Sequence, residues 1–217
     1  MRRVKVFTLV EMLVVIAIIA VLSSVLLPAL GKARETAKTI SCLGRLKQFG
    51  PAVSMYADDF NSFFPAAYNT VEKRTWYDVL IAAGTVKDSD VDTWMFCPSW
   101  TSGLLGAGGK LASRQNAYGN NVSTDYIRLN KLADGYKVNT YSTYDLFADA
   151  ILETSTDPRQ PWYNYWVGGN QPQKIHLRHN LKANFFFLDG HVVSAGRQEL
   201  MSWGNWGYPN VSIYQHP

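Results

Sequence analysis

The chain has 217 residues, 47% of them hydrophobic and 18% charged, with a formal net charge of +4. That balance is too apolar for a disordered chain and supplies enough residues for one substantial core. Residues 1–57 hold 8 Lys/Arg against 2 Asp/Glu, whereas residues 58–217 hold 13 against 15, so the basic excess belongs to the N-terminal stretch and a nucleic-acid patch is not indicated.

Phe7 to Leu30 (FTLVEMLVVIAIIAVLSSVLLPAL) carries one ionisable side chain, Glu11. As a helix rising ~1.5 Å per residue it is about 36 Å long, enough to cross a hydrocarbon core of ~30 Å. Arg2, Arg3 and Lys5 precede it without an acid among them, which predicts a cytoplasmic N-terminus and an exported remainder. A secretory signal peptide fits less well: the run is long for an h-region, and no small-x-small cleavage pattern follows it. The segment therefore reads as retained. A carboxylate this deep in an apolar helix either snorkels to the headgroups, is protonated, or marks a specific partner.

From Ala29 to Ala57 the apolar residues Leu30, Ala33, Ala37, Ile40, Leu43, Leu46, Val53 and Tyr56 follow a helical spacing, with Lys32, Arg34, Glu35, Lys38, Arg45 and Lys47 on the other face. One long helix is expected, membrane-spanning over 7–30 and amphipathic beyond. A break is expected at Gly50-Pro51, because the ring of Pro51 crowds the carbonyl four residues back. Asp58 to Ser62 reads as a turn. Thr75 to Ala83 (TWYDVLIAA) reads as a short helix with Gly84 at its C-terminal cap. Trp94 to Pro98 resembles a short strand stopped by proline, and Tyr144 to Ile151 carries a short apolar segment around Asp149. The clearest β signal is Ala183 to Leu188, Asp189-Gly190, then His191 to Ser194, a hairpin with a type I′ turn signature.

Several residue sets invite chemistry. Cys42 and Cys97 are either a disulfide, if the head faces an oxidising compartment, or two buried free thiols. Asp88, Asp90 and Asp92 offer the first oxygens of a calcium loop, but Thr93 stands where an EF-hand needs Gly, and Ser99 where it needs Glu. That leaves a looser calcium site as the alternative to a solvated acidic turn; no cofactor is otherwise expected. His176, His179, Asp189 and His191 include suitable metal ligands, yet Asp189 is explained by its turn, and a hydrogen bond from His179 fixing the hairpin entry is the simpler reading. Gly103 to Lys110 lacks phosphate-loop spacing, and no nucleophile or zinc-hydrolase motif occurs, so an enzyme is not expected. Trp203 and Trp206 are suited to packing or to stacking on sugar rings.

The basic residues, then Phe7-Thr8-Leu9-Val10-Glu11, then the aliphatic run closely resemble the N-terminus of type IV pilins and of type II secretion pseudopilins. His179, nine residues, then Asp189-Gly190 resemble the prepilin-type family named for its H-x9-DG domain. Cys42 to Gln48 (CLGRLKQ), Tyr56 to Asp59 and Phe96 to Ser99 agree with it. The resemblance implies an α+β, pilin-like fold: a long helix over 7–57 packed on a small antiparallel-sheet head over 58–217, behind a basic leader over 1–6. It implies a single-pass protein of the cytoplasmic membrane with its head outside, processed by a prepilin peptidase between Val6 and Phe7. Its partners would be other copies or paralogous pilin-like subunits in a pilus or pseudopilus filament. Glu11 would then meet the terminal amine of a neighbour, and Pro28 would sit where such helices loosen. Val6 stands where the family carries Gly, and a β-branched side chain suits a glycine-shaped cleavage site poorly. An uncleaved chain would be a tethered surface-binding module, for instance for polysaccharide.

Overall fold

In the computed structural model the described residues are 8–65, 68–69, 74–91, 95, 97–99, 119–120, 127–128, 145–152, 160–161, 173–203 and 213–214. The chain divides into two units, Met1–Ala37 and Lys38–Pro217. Helix α1 (Leu9–Lys47) begins in the first unit and ends in the second. From Leu9 to Leu30 its large apolar side chains are exposed, Leu9 by 80% and Val25 by 70%. The helical stretch that starts at Leu9 is long and apolar enough to cross a membrane. Pro28 lies inside the helix without ending it.

The expected break is present, at Gln48 rather than at Gly50-Pro51. Helix α2 (Phe49–Asp59) holds Pro51 in its first turn, where a missing N–H is tolerated. The crowded carbonyl four residues back is that of Lys47, the last residue of α1. Within the second unit the buried stripe is Cys42, Leu46, Phe49, Val53 and Tyr56. Of the predicted stripe within this unit, Leu46, Val53 and Tyr56 are buried and Leu43 is half-buried. Ile40 is 64% exposed, and Cys42 occupies the inward position.

Strand β1 (Phe63–Phe64) follows a turn in which Asn61 and Ser62 take positive φ. Strands β2 (Tyr68–Asn69) and β3 (Arg74–Thr75) pair with each other. Helix α3 (Trp76–Ala82) forms as the sequence predicts. The Thr75 N–H and hydroxyl donate to Asp78 Oδ2 at 3.1 and 2.6 Å, and Gly84 reverses the chain at φ +76°. Asp88–Val91 is the single-turn helix α4. A strand is expected over 94–98, but its described residues, Met95, Cys97 and Pro98, lie outside any strand; Met95 and Cys97 are buried.

Among the described residues the remaining strands build two four-stranded sheets and complete a second two-stranded one. The first runs β11 (Val192–Gly196), β10 (Lys182–Phe187), β6 (Asp145–Ala148), β4 (Gly119–Asn120), all antiparallel. The second runs β12 (Ile213–Tyr214), β9 (Gln173–His176), β7 (Ala150–Leu152), β8 (Gln160–Pro161), with the β12–β9 edge parallel. Strand β5 (Ile127–Arg128) pairs with β1. Helix α5 (Arg197–Ser202) comes directly after β11. The head is therefore α+β, as expected.

One core cluster joins α1 and α2 to α3 and the first sheet through Phe49, Phe64, Trp76, Phe147 and Phe186. Phe147 sits at its centre, with ring centroids 4.6 Å from Phe49, 4.5 Å from Trp76 and 5.7 Å from Phe64. A second cluster packs Ile175, Phe185, Phe187 and Leu200 on the other side of β10. Alternation along β10 explains the division: Phe186 faces one cluster, Phe185 and Phe187 the other.

Candidate functional site

Two places gather candidate residues, one in each unit. At the start of α1, Thr8 and Glu11 form a capping box. The Thr8 N–H and hydroxyl donate to Glu11 Oε2 at 2.8 and 2.7 Å, and the Glu11 N–H donates to Thr8 Oγ1 at 3.3 Å. The apolar run by itself suggests no partner for this carboxylate within its own chain; the structure gives it two donors. Their signal in the sequence is the spacing Thr8-x-x-Glu11. Val6 and Phe7 lie outside the described residues.

The second place is buried in the head, where β6 passes into β7. Asp149 is the residue at which the strand leaves one sheet and enters the other. Its N–H donates to Asn184 O at 3.1 Å, and its carbonyl accepts from the His176 N–H at 2.8 Å. Its carboxylate is fully buried and accepts from the Asn184 N–H at 2.9 Å. Arg178 Nε lies 3.7 Å from Oδ1 and His179 Nε2 lies 3.3 Å from Oδ2. Burial alone would favour the neutral acid, but the Arg178 and His179 charges prevail and hold it ionised down to about 2.

His179 reaches this site from the turn before β10. Its Nε2 is 3.2 Å from Cys97 Sγ, and its Nδ1 faces Ser99 Oγ at 3.2 Å and Thr39 Oγ1 at 3.4 Å. Desolvation pushes the imidazole toward neutrality, and the Asp149 carboxylate overrides it, so the ring keeps its proton to about 10. Cys42, from α1, places Sγ 3.8 and 3.9 Å from the two Asp149 oxygens. Both cysteines are buried thiols, so the disulfide alternative is not the arrangement in this structure. Burial raises the Cys97 thiol, but hydrogen bonds from Cys42 and His179 bring it down to about 6.

The H-x9-DG spacing is thus turn, strand, turn. His179 lies before one end of β10, and Asp189-Gly190 lies past the other, a strand length of about 17 Å apart or more. The His176, His179, Asp189 and His191 set does not converge: His179 is buried, whereas Asp189 and His191 sit in the exposed β10–β11 turn. That turn is not type I′. Asp189 lacks the required positive φ, the Gly190 N–H donates to Phe187 O, and Gly190 at φ +87° completes a three-residue loop with a bulge. The type I′ geometry occurs earlier, at Asn180-Leu181, with φ 50° and 64° and reciprocal bonds between His179 and Lys182. Of the acidic run, Asp88 is exposed on α4, and Asp92 lies outside the described residues. Trp203 packs edge-on against Phe185 and Phe187, and Trp206 lies outside the described residues. Sequence reasoning gives no role to Asp149, Arg178, Ser99 or Thr39; an acid inside an apolar strand segment is the available signal for the first.

A membrane-length apolar helix leading into an α+β head with a small antiparallel sheet is the architecture of a pilin-like chain. Residues 1–27 match the family described as the prokaryotic N-terminal methylation motif. The type IV wide pilus major component PilA4 of Thermus thermophilus is 44% identical over 63 residues, covering 29% of this chain and 48% of that protein. The chain spans about half the length of that relative. No solved structure matches.

Proposed function

We propose that the protein is a structural subunit of a type IV pilus-like or type II secretion pseudopilus filament, assembled through α1. The observation that carries this reading is an apolar helix, exposed from Leu9 to Leu30, with one acid in its first turn and a prokaryotic N-terminal methylation motif over it. The similarity to a type IV pilin supports the same reading. In the single chain Glu11 caps its own helix; on docking, the terminal amine of a neighbour would supply a positive charge to that carboxylate and set the register. The partners are further copies or paralogous pilin-like subunits, a prepilin peptidase acts at Val6–Phe7, and the head lies outside the cytoplasmic membrane. The H-x9-DG resemblance belongs to this reading as the signature of the head's hairpin. Glu11→Ala tests it. The variant is expected to fractionate with the membrane yet lose the multimers that cross-linking captures from the wild type. Undiminished multimers would count against the role of Glu11.

Val6 favours a second reading, an uncleaved anchor carrying a surface-binding head. Intact mass separates the two: a chain beginning at Phe7 supports the filament subunit, and one beginning at Met1 supports the tether.

A further inference from the structure

Four side chains with metal-ligating atoms converge in the head, and the proposed assembly through α1 does not call on them. One ligand atom each from Cys42, Cys97, Asp149 and His179 lie within 4.8 Å of one another, and all four residues are buried. We propose that this cluster is a structural site for a zinc-class divalent cation, held by the two thiolates, His179 Nε2 and one carboxylate oxygen of Asp149.

Geometry is the first support. A tetrahedral zinc, with bonds of about 2.3 Å to sulfur and 2.0–2.1 Å to nitrogen or oxygen, spaces its ligands about 3.3–3.8 Å apart. The separations here are 3.2 Å for Cys97 Sγ to His179 Nε2 and 3.3 Å for Nε2 to Asp149 Oδ2. Cys42 Sγ stands 3.8 and 3.9 Å from the two carboxylate oxygens, long for hydrogen bonds and suited to the edges of a tetrahedron.

The surrounding groups are the second. A metal-bound histidine is oriented by a partner on its other ring nitrogen, and Nδ1 of His179 faces Ser99 Oγ and Thr39 Oγ1. The Asn184 N–H fixes the carboxylate in the same way. Charge is the third. A dication with two thiolates and one carboxylate carries one excess negative charge, and the Arg178 guanidinium beside Asp149 offsets it.

Sulfur ligands disfavour calcium and magnesium, and a closed set of four buried donors suits a structural rather than a catalytic ion. As the cation enters, any protons still held by the thiols and by Nε2 leave to solvent. The result would staple α1, the segment after α4, the β6–β7 crossover and the turn before β10, four pieces far apart in sequence.

The test uses the full chain purified in detergent without chelator. Elemental analysis is expected to find about one zinc per chain. Chelation should lower the melting temperature, and added zinc should restore it. Cobalt added to the stripped protein should give a sulfur-to-metal charge-transfer band and intense tetrahedral d–d bands. Ser99→Ala retains all four ligands and should weaken cobalt binding about 10-fold, whereas Cys97→Ser should diminish the charge-transfer band. An intact mass lower by two hydrogens, the mark of a Cys42–Cys97 disulfide, would overturn the proposal. So would reduced thiols with no cobalt charge-transfer band in protein of native circular dichroism.

Discussion

Asp149 and His179 bind their protons very differently in the folded head than in the open chain, and the difference sets how the metal-free protein responds to pH. The carboxyl is depressed from 3.8 to about 2, so its stabilisation is present above about 4 and is lost as pH falls through 2. The imidazole is raised from 6.5 to about 10, so its contribution is complete below 6.5 and disappears as pH rises through 10. The Cys97 thiol is depressed from 9.0 to about 6, so it adds stability as pH rises from 6 to 9, opposing the loss at His179. Chelator-treated protein is therefore expected to show a nearly level denaturation midpoint between about 6.5 and 9, then a fall as pH approaches 10. Urea titrations across that range check this. A steady fall beginning at 6.5 would mean that Cys97 is not a thiolate beside His179.

Among the elements, the turn entering β10 stores strain that no ligand role explains. Leu181 is an aliphatic residue at φ 64° and is 56% exposed, so it loses little burial on removal. The left-handed region costs an L-residue about 1–2 kcal/mol, and glycine occupies it freely at the expense of about 0.5–1 kcal/mol of unfolded-chain entropy. Leu181→Gly is expected to stabilise the head by about 0.5–1 kcal/mol, read as a higher urea midpoint. Turn chemistry also explains why the type I′ signature points to the wrong end of β10. Asp189-Gly190 is the stronger signature on paper, yet the register Phe186 opposite Val192 leaves a longer loop there. Asn180-Leu181 receives the tight turn because His179 and Lys182 must exchange both backbone bonds. Leucine gives no sequence signal for that conformation.

Across the head as a whole, the cluster around Phe147 joins the helical and sheet parts of the second unit. That ring is fully buried and contacts Phe49, Phe64, Trp76 and Phe186. Phe147→Ala removes an aromatic side chain that all these neighbours share, and is expected to cost about 3–5 kcal/mol. The shift in chemical denaturation measures it, and a loss below about 1 kcal/mol would mean that the cluster can collapse into the space.

The apolar helix, its break near Pro51, helix α3 with its C-terminal glycine and the β10–β11 hairpin were all legible in the amino-acid order. Each of these depends on periodicity, on the missing proline N–H or on a capping residue, all of which act within a few positions along the chain. That Cys42 rather than Ile40 faces inward follows from the helical period, because at about 100° per residue Cys42 lies about 40° from Leu46 and Ile40 about 120°, but only packing buried it fully. Packing alone also brought Cys42, Cys97, Asp149 and His179 together. Strand crossovers and a hairpin turn bridge those separations of tens of residues, and backbone pairing between distant segments leaves no local pattern to read.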